Sequence, residues 1–203
     1  MLRNMTKLVL VLAALLTVVG CDFAGHDQKG FEPSLVSTRD LSKEPRGLIF
    51  PSAIQMSTEF TAEEQEAIVS AVDLWKARTN GSANLTIVIG DDPTAVCRAH
   101  LGTYPPQPEG AILGESVGYG RQDGCELILD RAALASSAKR HNTTFIKAFE
   151  QVATHELGHI FGLEHLDDGV MFYAFDPAHF GIDDLAVDAF CALRGCPSGT
   201  GTR

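Results

Sequence analysis

Residues 155–165 read His-Glu-Leu-Gly-His-Ile-Phe-Gly-Leu-Glu-His, and no other stretch constrains the chain as tightly. Written on a helix, His155 and His159 stand at i and i+4, with Cβ atoms about 5–6 Å apart on one face. Two imidazoles at that separation can each reach one Zn²⁺ at about 2.0–2.1 Å. A single helical face does not easily supply a third ligand with tetrahedral geometry. Gly162 permits one, because glycine takes positive φ without a Cβ penalty, ends the helix and turns the chain back. His165, three residues on, then approaches from another side. Three protein ligands leave a fourth position open, the arrangement of a catalytic rather than a structural zinc site. Glu156 lies about 100° round the helix from His155. There it can take a proton from a water at the metal without being a ligand itself.

The segment resembles the extended motif of the metzincins, His-Glu-x-x-His-x-x-Gly-x-x-His. That family also carries a methionine turn beneath the metal. Met171, in Gly169-Val170-Met171-Phe172-Tyr173, follows six residues after His165 and resembles it. The order of elements from about Leu48 to Gly195 is similar to that of a matrixin-like catalytic domain. The resemblance implies an α+β, metzincin-type zincin fold: a twisted mixed sheet with an antiparallel edge strand, two long helices and a small helical C-terminal part. It implies a zinc-dependent endopeptidase in which His155, His159 and His165 hold one catalytic Zn²⁺, Glu156 activates a water and Met171 packs below the imidazoles. A protein or peptide substrate would bind extended along the edge strand near Ala111–Val117. Phe172–Phe175 would wall the pocket just after the scissile bond, and its two Phe and one Tyr predict an apolar residue there. Tyr173 stands where astacins and serralysins place a tyrosine that reaches the zinc, whereas matrixins often have Pro. It is either a fifth ligand that later donates to the oxyanion or a pocket-wall aromatic. A structural Ca²⁺ or a second Zn²⁺ is not indicated; Asp183 and Asp184 read as capping and first-turn charges of the last helix. The alternative from a different class is a non-hydrolytic, zinc-dependent binding lipoprotein of the cell envelope. The presence of Glu156 argues against it.

At the N-terminus, Arg3 and Lys7 precede an apolar run from Leu8 to Val19. The run is shorter than the roughly 20 residues a membrane span needs and suits the core of a secretory signal. It ends in Val18-Val19-Gly20-Cys21, which resembles the lipobox of bacterial lipoproteins. That resemblance implies cleavage before Cys21, lipid on its sulfur, and a protein anchored in the bacterial cell envelope outside the cytoplasm. The chain then divides into a signal peptide (1–20), a polar flexible tether (21–47), a catalytic domain (48–196) and a loose tail (197–203). Export puts Cys97, Cys125, Cys191 and Cys196 where disulfides form. Four cysteines allow three connectivities; Cys97–Cys125 and Cys191–Cys196 are expected, because each pair brackets one local excursion.

With 203 residues, 45% of them hydrophobic and 21% charged, the chain can bury the core of one domain. Its net charge of −10 argues against a nucleic-acid-binding face, and a monomer is expected. Thr61-Ala62-Glu63-Glu64 is a capping box that opens a helix. Ile68, Ala71, Val72 and Trp75 form its apolar stripe and Asn80-Gly81 its stop. A strand is predicted over Leu85–Ile89, then a Gly/Pro-rich stretch to Gly110. An edge strand follows within Ala111–Tyr119 and another strand over Cys125–Asp130. A second helix starts near Asn142-Thr143-Thr144, with Phe145, Phe149 and Val152 on one face, and a last one runs from Asp183 or Asp184 to Gly195. His26, His100, His141 and His179 lack motif partners and read as surface histidines.

Overall fold

The structure is a computed structural model and describes residues 52–91, 95, 97–105, 111–117 and 124–196. The signal-like segment, Cys21, the tether with His26, Leu48-Ile49-Phe50 and the tail lie outside the described residues.

Five strands form one mixed sheet: β1 (Ala53–Met56), β2 (Thr86–Ile89), β3 (Cys97–Leu101), β4 (Gly114–Val117) and β5 (Cys125–Leu129). Their order is β2-β1-β3-β5-β4, with β4 antiparallel to β5 at one edge and every other pair parallel. Alternation sets the two faces. Ile54, Met56, Cys97, Ala99, Cys125, Leu127 and Leu129 are buried, while Gln55, Arg98 and Glu126 share the opposite face.

The helices are α1 (Ala62–Arg78), α2 (Arg131–Arg140), α3 (Phe145–Ile160) and α4 (Asp184–Arg194). α1 begins in the predicted capping box, with Thr61 Oγ1 accepting from the Glu64 amide and Glu64 accepting from the Thr61 amide. It ends with Asn80 at φ +51° and the Gly81 amide donating to the Lys76 carbonyl at 2.7 Å. Trp75, fully buried, ties three helices together. Its Nε1 donates to the Thr154 carbonyl of α3 at 2.8 Å. Its ring also meets Phe161 and, on α4, Phe190, at centroid distances of 5.6 and 6.0 Å. Disulfides join Cys97 to Cys125 across the paired β3 and β5, and Cys191 to Cys196 at the end of α4.

β1, β3 and α2 carry no clear mark in the sequence pattern. β3 lies inside the stretch taken as Gly/Pro-rich. Its inward residues are Cys97, Ala99 and the half-buried Leu101, and its outward ones, such as Arg98, which pairs with Glu126 at 2.5 Å, carry no hydrophobic signal. α2 starts where a strand was expected to finish. Asp130 is its N-cap, accepting from the Ala133 amide at 3.0 Å, and its buried face is no more than Leu134, Ser137 and Ala138. The described part therefore has four helices, of which α1 and α3 are the two long ones.

Candidate metal centre

α3 carries the first two histidines. Thr144 caps its start by accepting from the Lys147 amide, and the helix is buried along most of its length. Its end is a Schellman turn: the Leu163 amide donates to Gly158 at 3.0 Å and the Gly162 amide to His159 at 2.8 Å. Gly162 sits at φ +93°, the backbone state its place in the motif requires.

The same turn orients a histidine. His159 Nδ1 lies 2.7 Å from the Leu163 carbonyl, and His155 Nδ1 lies 2.7 Å from the Val170 carbonyl. A carbonyl only accepts, so both rings donate from Nδ1 and turn Nε2 toward a common point. The two Nε2 atoms are 3.1 Å apart. The His165 ring completes the group, its centroid 5.2 Å from His155 and 4.7 Å from His159. One ligand nitrogen from each of the three lies within 4.8 Å of the other two.

Electrostatics favours neutral rings. Burial, then the neighbouring His159 and His165, holds His155 well below the usual histidine range, and burial lowers His159. His165 is exposed as a residue, but its ring packs on the other two. Burial of that ring and the His159 charge bring it down to about 4. Neutral, converging imidazoles, two of them with tautomers fixed by carbonyls, are what zinc ligation demands, so this donor set fits the metal.

The chain after His165 closes quickly. The Leu166 amide donates to Met171 at 2.9 Å, and a single 3-10 turn, Gly169–Met171, follows. Met171 is fully buried, and a Cβ added to Gly158 would collide with its sulfur. The methionine thus packs on α3 between the two ligand-bearing turns of helix. Asp183 caps α4 through Oδ1, 2.9 Å from the Ala186 amide, and accepts the Val170 amide through Oδ2 at 2.7 Å. Its capping role was legible in the sequence. Its hold on the turn that aims His155 was not, since those residues are 13 apart.

Glu156 is only 3% exposed. Burial pushes its carboxyl up to about 8; a hydrogen bond from Ser116 opposes the shift and the Glu115 charge adds to it. Ser116 Oγ lies 2.8 Å from Glu156 Oε2 and 2.7 Å from the Glu156 carbonyl. No motif singled out Ser116; its only sequence signal was membership of an edge-strand segment.

Tyr173 is half-buried with its ring on Phe172 at 4.5 Å, and Phe175 is buried with its edge on His141 at 5.3 Å. Gln151, one turn before His155, pins the following loop by donating to the carbonyls of Asp176 at 2.6 Å and His179 at 3.2 Å. The remaining described histidines are not simple surface residues. His100 is half-buried with Nδ1 3.0 Å from the Leu101 carbonyl, and His179 lies 3.3 Å from each of Asp168 and Asp176. They stay apart from the metal centre, which is the one metal-competent cluster among the described residues.

No curated protein sequence matches the chain. Among solved structures, archaemetzincin from Methanopyrus kandleri is similar at a TM-score of 0.49 and 16% identity, over 74% of this chain and 98% of that one. The sequence profile of the Matrixin peptidase family matches residues 55–189, about two-thirds of the chain. That span takes in all five strands at least in part, the whole of α3 and the turn at Met171, and the chain belongs to the matrixin family of zinc metallopeptidases.

Proposed function

We propose that this protein is an endopeptidase that hydrolyses peptide bonds in extended protein or peptide substrates with one zinc ion. The observation that carries this reading is a buried carboxylate, Glu156, next in sequence to one of three converging neutral imidazoles. When bound, zinc supplies a Lewis acid for the scissile carbonyl and lowers the pKa of a coordinated water to about 7. His155, His159 and His165 would hold it, with the Val170 and Leu163 carbonyls keeping two of the rings aimed. Glu156 takes the water's proton and hands it to the departing amine. A carboxylate can both accept and return a proton, and its place next to His155 on α3 puts it beside the site the metal would occupy. β4, at the sheet edge, offers backbone groups to an extended chain. The half-buried Phe172 and Tyr173 would form an apolar wall that suits a hydrophobic residue at the first primed position, while Phe175 packs inward. Tyr173 either donates from its hydroxyl to the oxyanion as charge develops there or serves only as part of that wall, and its hydroxyl is what separates the two.

We also propose that Cys21 is lipidated and tethers the domain to the bacterial envelope. The short apolar run ending at Cys21 supports this, and disulfides suit an oxidising compartment. Mass spectrometry of the membrane fraction should find lipid on Cys21; a mature protein starting elsewhere would refute it.

The deciding experiment is cleavage of an unbiased peptide library by the zinc-loaded protein and its Glu156→Gln variant. Cleavage should stop with a chelator, and the variant should keep about one zinc per chain while losing nearly all turnover. Full activity in the variant overturns the mechanism. Zinc and peptide binding without cleavage would leave the zinc-dependent binding lipoprotein instead.

A further inference from the structure

The edge strand offers more than a backbone for a substrate. We propose that the inner face of β4 is a seat for the general base: Gly114 admits the Glu156 side chain and Ser116 fixes the direction of its carboxylate. Ser116 is then a positioning residue for hydrolysis. This role rests on the peptidase reading above and deepens it.

Successive side chains of a strand point to opposite faces. Glu115 is exposed, while Gly114 and Ser116, two apart, both face α3. A Cβ at Gly114 would stand 2.9 Å from Val152 Cγ1, 3.0 Å from Leu129 Cδ2 and 3.1 Å from Glu156 Cγ. Glycine at that position therefore lets the strand approach the methylenes of Glu156. One strand position pair further on, the Ser116 hydroxyl meets both the Oε2 atom and the main-chain carbonyl of Glu156, at 2.8 and 2.7 Å.

A hydroxyl has one proton and can also accept. Toward an ionised Glu156 it donates to the carboxylate, the stronger, charge-assisted bond. Ser116 is itself held by the β4–β5 pairing, opposite Leu127, so the seat belongs to a rigid element. Glu156 without this contact could rotate about its side-chain torsions, and a displacement of about 1 Å at a reacting group costs roughly a hundredfold in rate.

Three single variants of Ser116 test the idea. Ser116→Ala should lower kcat by about tenfold to a hundredfold with little change in KM. Zinc content should be unchanged. Ser116→Thr and Ser116→Val have nearly the same shape and differ in the hydroxyl. The Thr variant should be at least about tenfold faster than the Val variant; equal rates overturn the role, whatever either has lost in folding. Within a Glu156→Gln background, Ser116→Ala should cost nothing further, and an additional loss would assign Ser116 some other task. A crystal structure of metal-free Ser116→Ala provides a readout apart from activity. The Glu156 carboxylate should occupy more than one rotamer while the three imidazoles keep their places; a single unmoved carboxylate overturns the role. If the wild-type protein cleaves no peptide, the peptidase reading falls, and the carboxylate position still decides this one.

Discussion

At the scale of single residues, contacts around the metal centre are tight enough for one methyl group to matter. Gly158 is an interior residue of α3, where alanine would ordinarily raise helix propensity by about 1 kcal/mol. Here its Cβ would run into the Met171 sulfur and come within 3.1 Å of Trp75. Overpacking wins: Gly158→Ala should lower stability by about 1–3 kcal/mol, read as a fall in Tm, and should weaken zinc binding. A rise in Tm would show that Met171 can move aside. Tyr173 poses a different question, because its ring contact with Phe172 and its proposed hydroxyl role are separable. Tyr173→Phe keeps the ring. A kcat at least about tenfold lower with KM little changed supports oxyanion donation. An unchanged kcat/KM leaves Tyr173 as a wall of the pocket.

At the scale of elements, two carboxylates join helix starts to distant parts of the fold. Glu64 completes the capping box of α1 and accepts two hydrogen bonds from Arg131 at the start of α2, both 2.6 Å. Burial alone would raise its pKa, but hydrogen bonds from Arg131 and the Thr61 amide, with the Arg131 charge, outweigh it and leave the pKa below its ordinary value. A carboxylate depressed in the folded state adds stability above its unfolded pKa, and that contribution is lost as pH falls through the folded value. Glu64→Gln should therefore cost about 1–3 kcal/mol at neutral pH. Its Tm gap to the wild type should close as pH drops below about 4; a gap constant down to pH 2 would contradict the ion pair. Asp183 links the start of α4 to Val170, whose carbonyl aims His155. Asp183→Asn replaces one accepting oxygen with a donor, so it must lose one of these bonds. It should destabilise the fold by about 1–2 kcal/mol. It should also weaken zinc by about tenfold or more in a chelator competition, as loss of an outer-shell partner does.

At the scale of the whole molecule, the charge is unevenly placed. The net charge is −10, and residues 151–182 carry, besides the buried Glu156, the more accessible Glu164, Asp167, Asp168 and Asp176 but no Lys or Arg. β4 adds the exposed Glu115. The substrate cleft proposed above would be walled by these segments, and their charge would attract cationic peptides over a distance that salt shortens, about 30 Å at 0.01 M and about 3 Å at 1 M. Peptides with basic residues flanking an apolar primed residue should be cleaved faster than acidic analogues at low ionic strength. The difference should shrink in high salt through kcat/KM; equal rates for both peptides at low salt would rule it out.

The centre was readable early because its ligands lie within eleven consecutive positions, where helix periodicity and one glycine dictate the geometry. The capping box of α1, the stop at Asn80-Gly81 and the apolar faces of α1 and α3 were equally local, each set by side chains acting within a few residues. β3 and α2 were not, because much of their support comes from partners elsewhere: β3 from hydrogen bonding to β1 and β5, and α2 from Asp130, which accepts from the Tyr104 amide, and Arg131, which pairs with Glu64. Ser116, Asp183 and the Val170 carbonyl also escaped a linear reading. Each acts on α3 or on the turn beside it from 13 to 40 residues away. Side-chain type and spacing specify which atoms can ligate a metal, since that chemistry is intrinsic to the residues. Which backbone carbonyl aims each imidazole, and which hydroxyl seats the base, depends on chain segments meeting in space, and hydrogen bonds between them leave no periodic mark on the sequence.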